Sequence, residues 1–310
     1  MKLLMNHLPK NCLLAVLCAA GLIVSSCSTV SDLVSTGAQA AANAGVIDSG
    51  MAESISNSSQ AIAKAAEDIT PEQEYYLGRA VAGKILGNYK RYTSAALESY
   101  MNKICMAMVI NSDEPQPFNG YHVALLDSDQ INALSTPGGH ILVTRGLVNC
   151  TDSEDALAAV IAHEISHIQL KHAVKSIKSS RAANAIIATA STAAKALSSK
   201  ELNELTEAFG ETVDSVVNTL VDSGYSKKAE FEADAHALEL MAAAGYNPAA
   251  MNTMLHLLHD KLGSANTGFG KTHPSPAERI QKVTPLISAY KTADTSAKRK
   301  ARYTKAVAGI

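Results

Sequence analysis

The sequence predicts an α+β fold, mostly helical, with a small β-sheet set into it. Three observations carry that reading. Apolar residues recur at helical spacing along most of the chain, as Leu97, Met101, Ile104 and Met108 do. The period falls to two only around "YHVALLD" (121–127) and "HILVTRG" (140–146). A chain of 310 residues with 47% hydrophobic residues holds enough apolar material for one substantial domain with extensions.

The first segment reads as an export signal rather than as part of the fold. Lys2 and Lys10 precede "NCLLAVLCAAGLIV", an apolar run short for a membrane span, and small residues follow it. Its end, Val24-Ser25-Ser26-Cys27, resembles a bacterial lipobox, with Cys27 as the thiol to be lipidated and an ordinary cleaved signal as the alternative. With Ser28 rather than aspartate after the cysteine, the resemblance implies lipid anchoring at the periplasmic face of the outer membrane in a bacterial cell envelope. Residues 1–26 are then a lipoprotein signal peptide and 27–69 a Ser/Ala-rich tether, with a helical stretch expected near "SSQAIAKAAEDI". Of five cysteines only Cys105 and Cys150 remain, in a compartment that permits a disulfide between them.

The folded domain is expected over 70–290. It starts where Thr70 can cap a helix with Pro71 at its first position and Glu74 in its first turn. A second helix runs through "TSAALESYMNKICMAMVI", whose methionines read as core. Two strands follow, separated by Asn132-Ala133 and the turn signal Pro137-Gly138-Gly139. A long helix then begins at "TDSEDA", where Thr151 or Asp152 precedes acidic first-turn residues, and continues to about Ile177. Residues 179–222 are helical in composition and read as an insertion or lid. One helix runs between Gly224 and Gly245, and Asn247-Pro248 starts another. Residues 291–310, with "KRKARYTK", read as a solvated basic tail. A net charge of −2 without a basic stripe elsewhere argues against a nucleic-acid partner.

The chemistry concentrates in "VIAHEISHIQLKH" (160–172). Positions four apart on a helix lie roughly 40° from alignment and one turn along, so His163 and His167 can offer ring nitrogens to one Zn²⁺. Glu164 beside them is placed to accept a proton from water acidified by the metal. Leu157, Val160, Ile161, Ile165 and Ile168 surround these groups, and ionisable side chains buried there without partners would cost several kcal/mol together. His172 is excluded as third ligand because five residues on a continuous helix turn it about 140° away. In "KAEFEADAHAL", Glu230 can supply the third ligand while Asp234, four residues on, reaches a ring N–H of a ligand histidine, His163 by analogy with other zincins.

These segments resemble the HtpX, BepA and LoiP-like zinc metallopeptidases, gluzincins of peptidase family M48. The resemblance spans residues 70–285 and rests on Asn132-Ala133, "PGGHILVTRGL", "HEISHIQLKH", "YSKKAEFEAD" and "THPSPAERI" in that order. It implies a zinc endopeptidase with one Zn²⁺ per chain held by His163, His167 and Glu230, with Glu164 as general base. It implies that the segment of Gly139, His140, Ile141 and Leu142 is an edge strand that binds substrate as an added extended chain. His273 would either take the open metal position or donate a hydrogen bond to the tetrahedral intermediate, the alternative being a surface histidine before a helix cap. Arg279 is expected in an ion pair. Lys227 stands where the family has arginine, and no transmembrane spans or repeat domain flank the motifs, which is the pattern of the single-domain LoiP-like lipoproteins. The implied substrates are unfolded or extended, misassembled envelope proteins. The rival from another class is a proteolytically silent, zinc-bound lipoprotein that serves the outer-membrane assembly machinery as chaperone or scaffold.

Overall fold

The computed structural model describes residues 27–45, 47–53, 56, 69–114, 116–178, 210–262, 268–291 and 297–310. The signal peptide, "SSQAIAKAAEDI" up to Asp68, and 179–209 of the expected lid lie outside the described residues, as does the side chain of Cys27. The chain divides into two compact units, 1–69 with 180–208, and 70–179 with 209–310. In the first, the segment expected to be a tether forms helix α1 (Cys27–Asn43). Its alanines, Ala38 and Ala40 to Ala42, favour a helix more than the tether reading allowed, against the poorer propensity of its Ser, Thr and Gly residues. Among the described residues no helix is long and apolar enough to cross a membrane.

The second unit carries the remaining elements. Helix α2 (Pro71–Asn88) starts as expected: Thr70 accepts from the Gln73 N–H, and the Gln73 side chain accepts in return from the Thr70 N–H. Helix α3 (Ala95–Val109) buries Leu97, Met101, Ile104 and Met108, so its methionines are core. Strands β1 (His122–Leu126), β2 (Ala133–Thr136) and β3 (His140–Thr144) form a sheet in the order β1-β3-β2. β1 runs parallel to β3, with His122 opposite His140, and β2 runs antiparallel, with Ala133 opposite Val143.

This order corrects the expected substrate strand. Gly139 belongs to a 3-10 turn (Pro137–Gly139), while His140, Ile141 and Leu142 sit on the central strand, whose two hydrogen-bonding edges are already filled. The edge strand beside the helix that carries His163 and His167 is β2, a four-residue strand that the sequence showed only as a spacer before a turn. α2 crosses that turn in direct backbone contact: a Cβ on Gly78 would lie 1.6 Å from the Pro137 carbonyl oxygen, so only glycine fits.

Short helix α4 (Arg145–Cys150) leads into α5 (Glu154–Gln169), capped by Ser153 rather than by Thr151 or Asp152. Every residue of α5 is buried, so it has no solvent face at all. It packs against α3, β2, and the helices α7 (Lys227–Ala243) and α8 (Ala250–Leu262). The expected run to Ile177 is broken at Leu170-Lys171, and α6 (His172–Lys178) starts afresh. Lys171 adopts φ 57°, a left-handed conformation that costs a lysine about 1–2 kcal/mol. An anchor holds it there: Lys171 Nζ donates to the buried Glu74 Oε2 at 2.7 Å.

Residues 210–218 are helical and end in a π-turn (Thr219–Ser223); short helix α9 (Phe269–Thr272) and α10 (Pro276–Ile287) follow α8. Ser275 caps α10 through the Glu278 N–H, and Lys227 pairs with Glu278 at 2.7 Å. The presumed basic tail is in part helix α11 (Ala297–Val307), docked onto the start of α5. Arg302 binds the buried Glu154, Arg299 Nη1 donates to Asp155 at 2.8 Å, and Tyr303 donates to the Thr151 carbonyl at 2.7 Å. Two of its cations are thus spent on acids that composition could not pair with them. The disulfide is also absent: Cys105 and Cys150 are both buried free thiols, and burial pushes the Cys105 thiol up to about 12.

Candidate metal centre and active site

α5 and α7 supply the core of the site, and the approach to α10 completes it. On α5 the four-residue spacing stacks His163 and His167, with Nε2 atoms 3.1 Å apart. Glu230, in the first turn of α7, brings Oε2 to 3.6 Å from His163 Nε2 and Oε1 to 3.5 Å from His167 Nε2. His273, just before α10, places Nε2 3.7 Å from Glu230 Oε2. These four residues each offer a ligand atom, all within 4.8 Å of one another. Atoms bound at about 2.0–2.1 Å to one tetrahedral ion lie roughly 3.3 Å apart, so the donor set fits zinc in composition and spacing. Both Glu230 oxygens are buried without any hydrogen-bond donor, which is costly for a carboxylate unless a cation satisfies them.

The surrounding bonds orient each ring. His163 Nδ1 lies 3.0 Å from Asp234 Oδ1, which leaves Nε2 to face the cluster. Asp234 is itself fixed by Arg279, whose Nε and Nη2 donate to its two oxygens at 2.9 and 2.6 Å, so the expected ion pair is a fork buried behind a ligand histidine. His167 Nδ1 meets His172 Nδ1 at 2.9 Å. His172 is outside the four-residue cluster, as expected, but for a different reason. The break at Lys171 swings it back against His167, where a continuous helix would have carried it away. His273 Nδ1 faces the Phe269 carbonyl at 3.2 Å and its ring stacks on Phe269, so it is no surface residue.

Charges follow from these neighbours. Burial and Arg279 oppose a proton on His163, but the Asp234 and Glu230 carboxylates outweigh them and raise it to about 9. Burial, with the charges of His163, His172 and His273, pushes His167 down, and burial lowers His273 to about 4. Burial raises the Glu164 carboxyl, opposed by His163 and by the hydrogen bond from Ser135.

Glu164 lines a small cavity together with Ser135, His167, Leu220, Tyr225, Glu230 and His273. Its Oε2 accepts from Ser135 Oγ at 2.7 Å, and its Oε1 is buried with no partner. Ser135 and Tyr225 were not singled out from sequence. Ser135 comes from the unrecognised β2, and Tyr225 stacks on His167 with ring centroids 4.6 Å apart. Burial, Glu164 and Glu230 all push the Tyr225 phenol up, so it stays a donor. The π-turn borders the cavity as well. Gly224 after it has φ 71°, and a Cβ there would lie 1.9 Å from the Thr272 carbonyl oxygen.

A buried carboxylate beside a three-histidine, one-glutamate cluster is an arrangement that can bind a metal and move a proton next to it. Comparison with known proteins agrees with that chemistry. Residues 95–287 match the description "Peptidase family M48". The "Beta-barrel assembly-enhancing protease" of Escherichia coli (strain K12) is 24% identical over 210 residues, 67% of this chain and 42% of that protein. The "Mitochondrial metalloendopeptidase OMA1" of Schizosaccharomyces pombe is 34% identical over 155 residues, 49% of this chain and 42% of that protein. The "Metalloprotease LoiP" of Escherichia coli (strain K12) is 28% identical over 180 residues, 58% of this chain and 66% of that protein. The chain thus spans less than half the length of the first two relatives.

Proposed function

The chain belongs to peptidase family M48, and on that premise we propose that it is a zinc-dependent endopeptidase. His163, His167 and Glu230 would hold the ion, with His273 as a fourth residue able to offer it a ligand atom. Zinc bound there supplies Lewis-acid polarisation of the scissile carbonyl and lowers the pKa of water. Glu164 takes the proton of the attacking water on its unpartnered Oε1 and passes it to the departing amine. Ser135 holds the other oxygen, which keeps the carboxylate aimed through both transfers. Asp234, backed by Arg279, keeps His163 in the tautomer that presents Nε2. β2 has no strand on its outer side among the described residues, so an extended polypeptide can add there by backbone hydrogen bonds, which favours unfolded substrates.

The observation that carries this reading is the buried Glu230 carboxylate with neither oxygen hydrogen-bonded, facing three imidazoles, with Glu164 alongside. The lipobox-like Val24–Cys27 supports a lipid-anchored location at the periplasmic face of the outer membrane, and the name of the relative called a beta-barrel assembly-enhancing protease supports misassembled envelope proteins as substrates. The test compares wild type with Glu164→Gln on unfolded casein, with and without a chelator, after metal analysis of both. One zinc per chain in each protein and a fall in kcat of about 10²-fold or more for the variant are expected. Equal, chelator-insensitive turnover would refute the endopeptidase. Zinc-loaded wild type without turnover would favour the silent scaffold.

A further inference from the structure

The cavity over the metal cluster contains one hydroxyl with nothing to do. Ser135 Oγ is spent on Glu164 at 2.7 Å, Thr219 Oγ1 donates to the Ser215 carbonyl at 3.0 Å, and Thr272 Oγ1 reaches the Gly268 carbonyl at 3.4 Å. His273 belongs to the cluster itself, with Nε2 3.7 Å from Glu230 Oε2, and its Nδ1 lies 3.0 Å from Thr272 Oγ1 and 3.2 Å from the Phe269 carbonyl. Tyr225 Oη is buried and has no hydrogen-bond partner. A buried hydroxyl without a partner is a cost to the fold, relieved when an acceptor arrives.

We propose that Tyr225 is a further catalytic residue, whose phenolic O–H donates a hydrogen bond to the scissile carbonyl oxygen as that oxygen becomes negative. The inference rests on the endopeptidase reading above. Water oxygen bonds to the carbonyl carbon, the π pair moves onto the carbonyl oxygen, and Glu164 receives the water proton. Tyr225 breaks no bond. It stabilises the new charge and releases the contact when the C–N bond breaks and the carbonyl re-forms. The ring is held for this purpose by stacking on His167, one of the residues that would hold the metal, so the donor and the ion approach the same oxygen from a fixed frame.

The test is Tyr225→Phe in the full-length zinc protein, a change that keeps the ring and its stacking while removing only the unpaired oxygen. kcat should fall about 10²–10³-fold, the range for loss of one oxyanion donor, with zinc content unchanged and KM within about threefold. A peptide phosphonamidate, tetrahedral and anionic where the carbonyl stood, should lose affinity by a similar factor, while a peptide product carrying a planar carboxylate should not. A kcat within about threefold of wild type, or phosphonamidate binding unaltered, would overturn the proposal. A fall in activity that merely tracks lost zinc would do so too, leaving Tyr225 as a packing residue. Phosphonamidate binding reads Tyr225 without turnover, so its failure is separable from failure of the endopeptidase reading, which Glu164→Gln tests.

Discussion

Arg279→Leu isolates what the buried fork behind His163 contributes. In the wild type, Arg279 and Asp234 are about 2% exposed or less and share two charge-assisted bonds of 2.9 and 2.6 Å. Leucine keeps apolar bulk near Phe269, against which the guanidinium lies at 5.1 Å, but strands the Asp234 carboxylate with His163 alone. Removing one partner of a buried pair costs about 3–5 kcal/mol. For a domain of this size each kcal/mol lowers Tm by about 2–4 °C, so the metal-free variant should melt roughly 6–20 °C below wild type at pH 7. The effect has a signed pH dependence. Although burial alone would raise it, Arg279 and His163 hold the Asp234 carboxyl well below its ordinary value. Its contribution is therefore fully present above the unfolded value of about 3.9 and is lost as pH falls through the depressed folded value. The gap between variant and wild type should narrow below about pH 4. Asp234→Asn combined with Arg279→Leu should recover part of the loss, because no buried charge is then stranded. A pH 7 melt within about 2 °C of wild type, or a gap indifferent to acid, would refute the argument.

Two further perturbations probe the site's frame. His172→Ala removes the partner of His167 Nδ1 and should weaken zinc affinity about 10–100-fold in chelator competition, with Asn at that position recovering part; unchanged affinity would show that the imidazole pair does not orient the ligand. Gly224→Ala introduces a Cβ 1.9 Å from the Thr272 carbonyl at φ 71°, and should lower Tm by at least the equivalent of about 1–2 kcal/mol, whereas an unshifted melt would mean that the turn moves freely.

The parts of this site that the sequence revealed are those set by local periodicity. His163 with His167, and Glu230 with Asp234, are each one helical turn apart, and helix geometry alone carries such pairs to one face. The parts it hid depend on breaks and long-range pairing. Lys171 looks like any helical lysine until Glu74, from another helix, holds it left-handed, and that single kink decides where His172 goes. β2 is four residues of mixed propensity that form a strand only because β3 lies alongside, which also makes β3, with His140–Leu142, the central strand of the sheet. Tyr225 lies outside any regular element, and its role follows from which other hydroxyls are already bonded.

The docking of α11 onto the start of α5 sets an order in time. Glu154 is closed by Arg302 across 148 residues, and Asp155 by Arg299 across 144. A chain emerging from its N-terminus carries the histidine-bearing helix long before these cations arrive. Closure of so large a loop is slow, because its entropy is lost before any contact compensates. The start of α5 is therefore completed last, and the frame around His163 and His167 becomes rigid only once the chain has been made through α11.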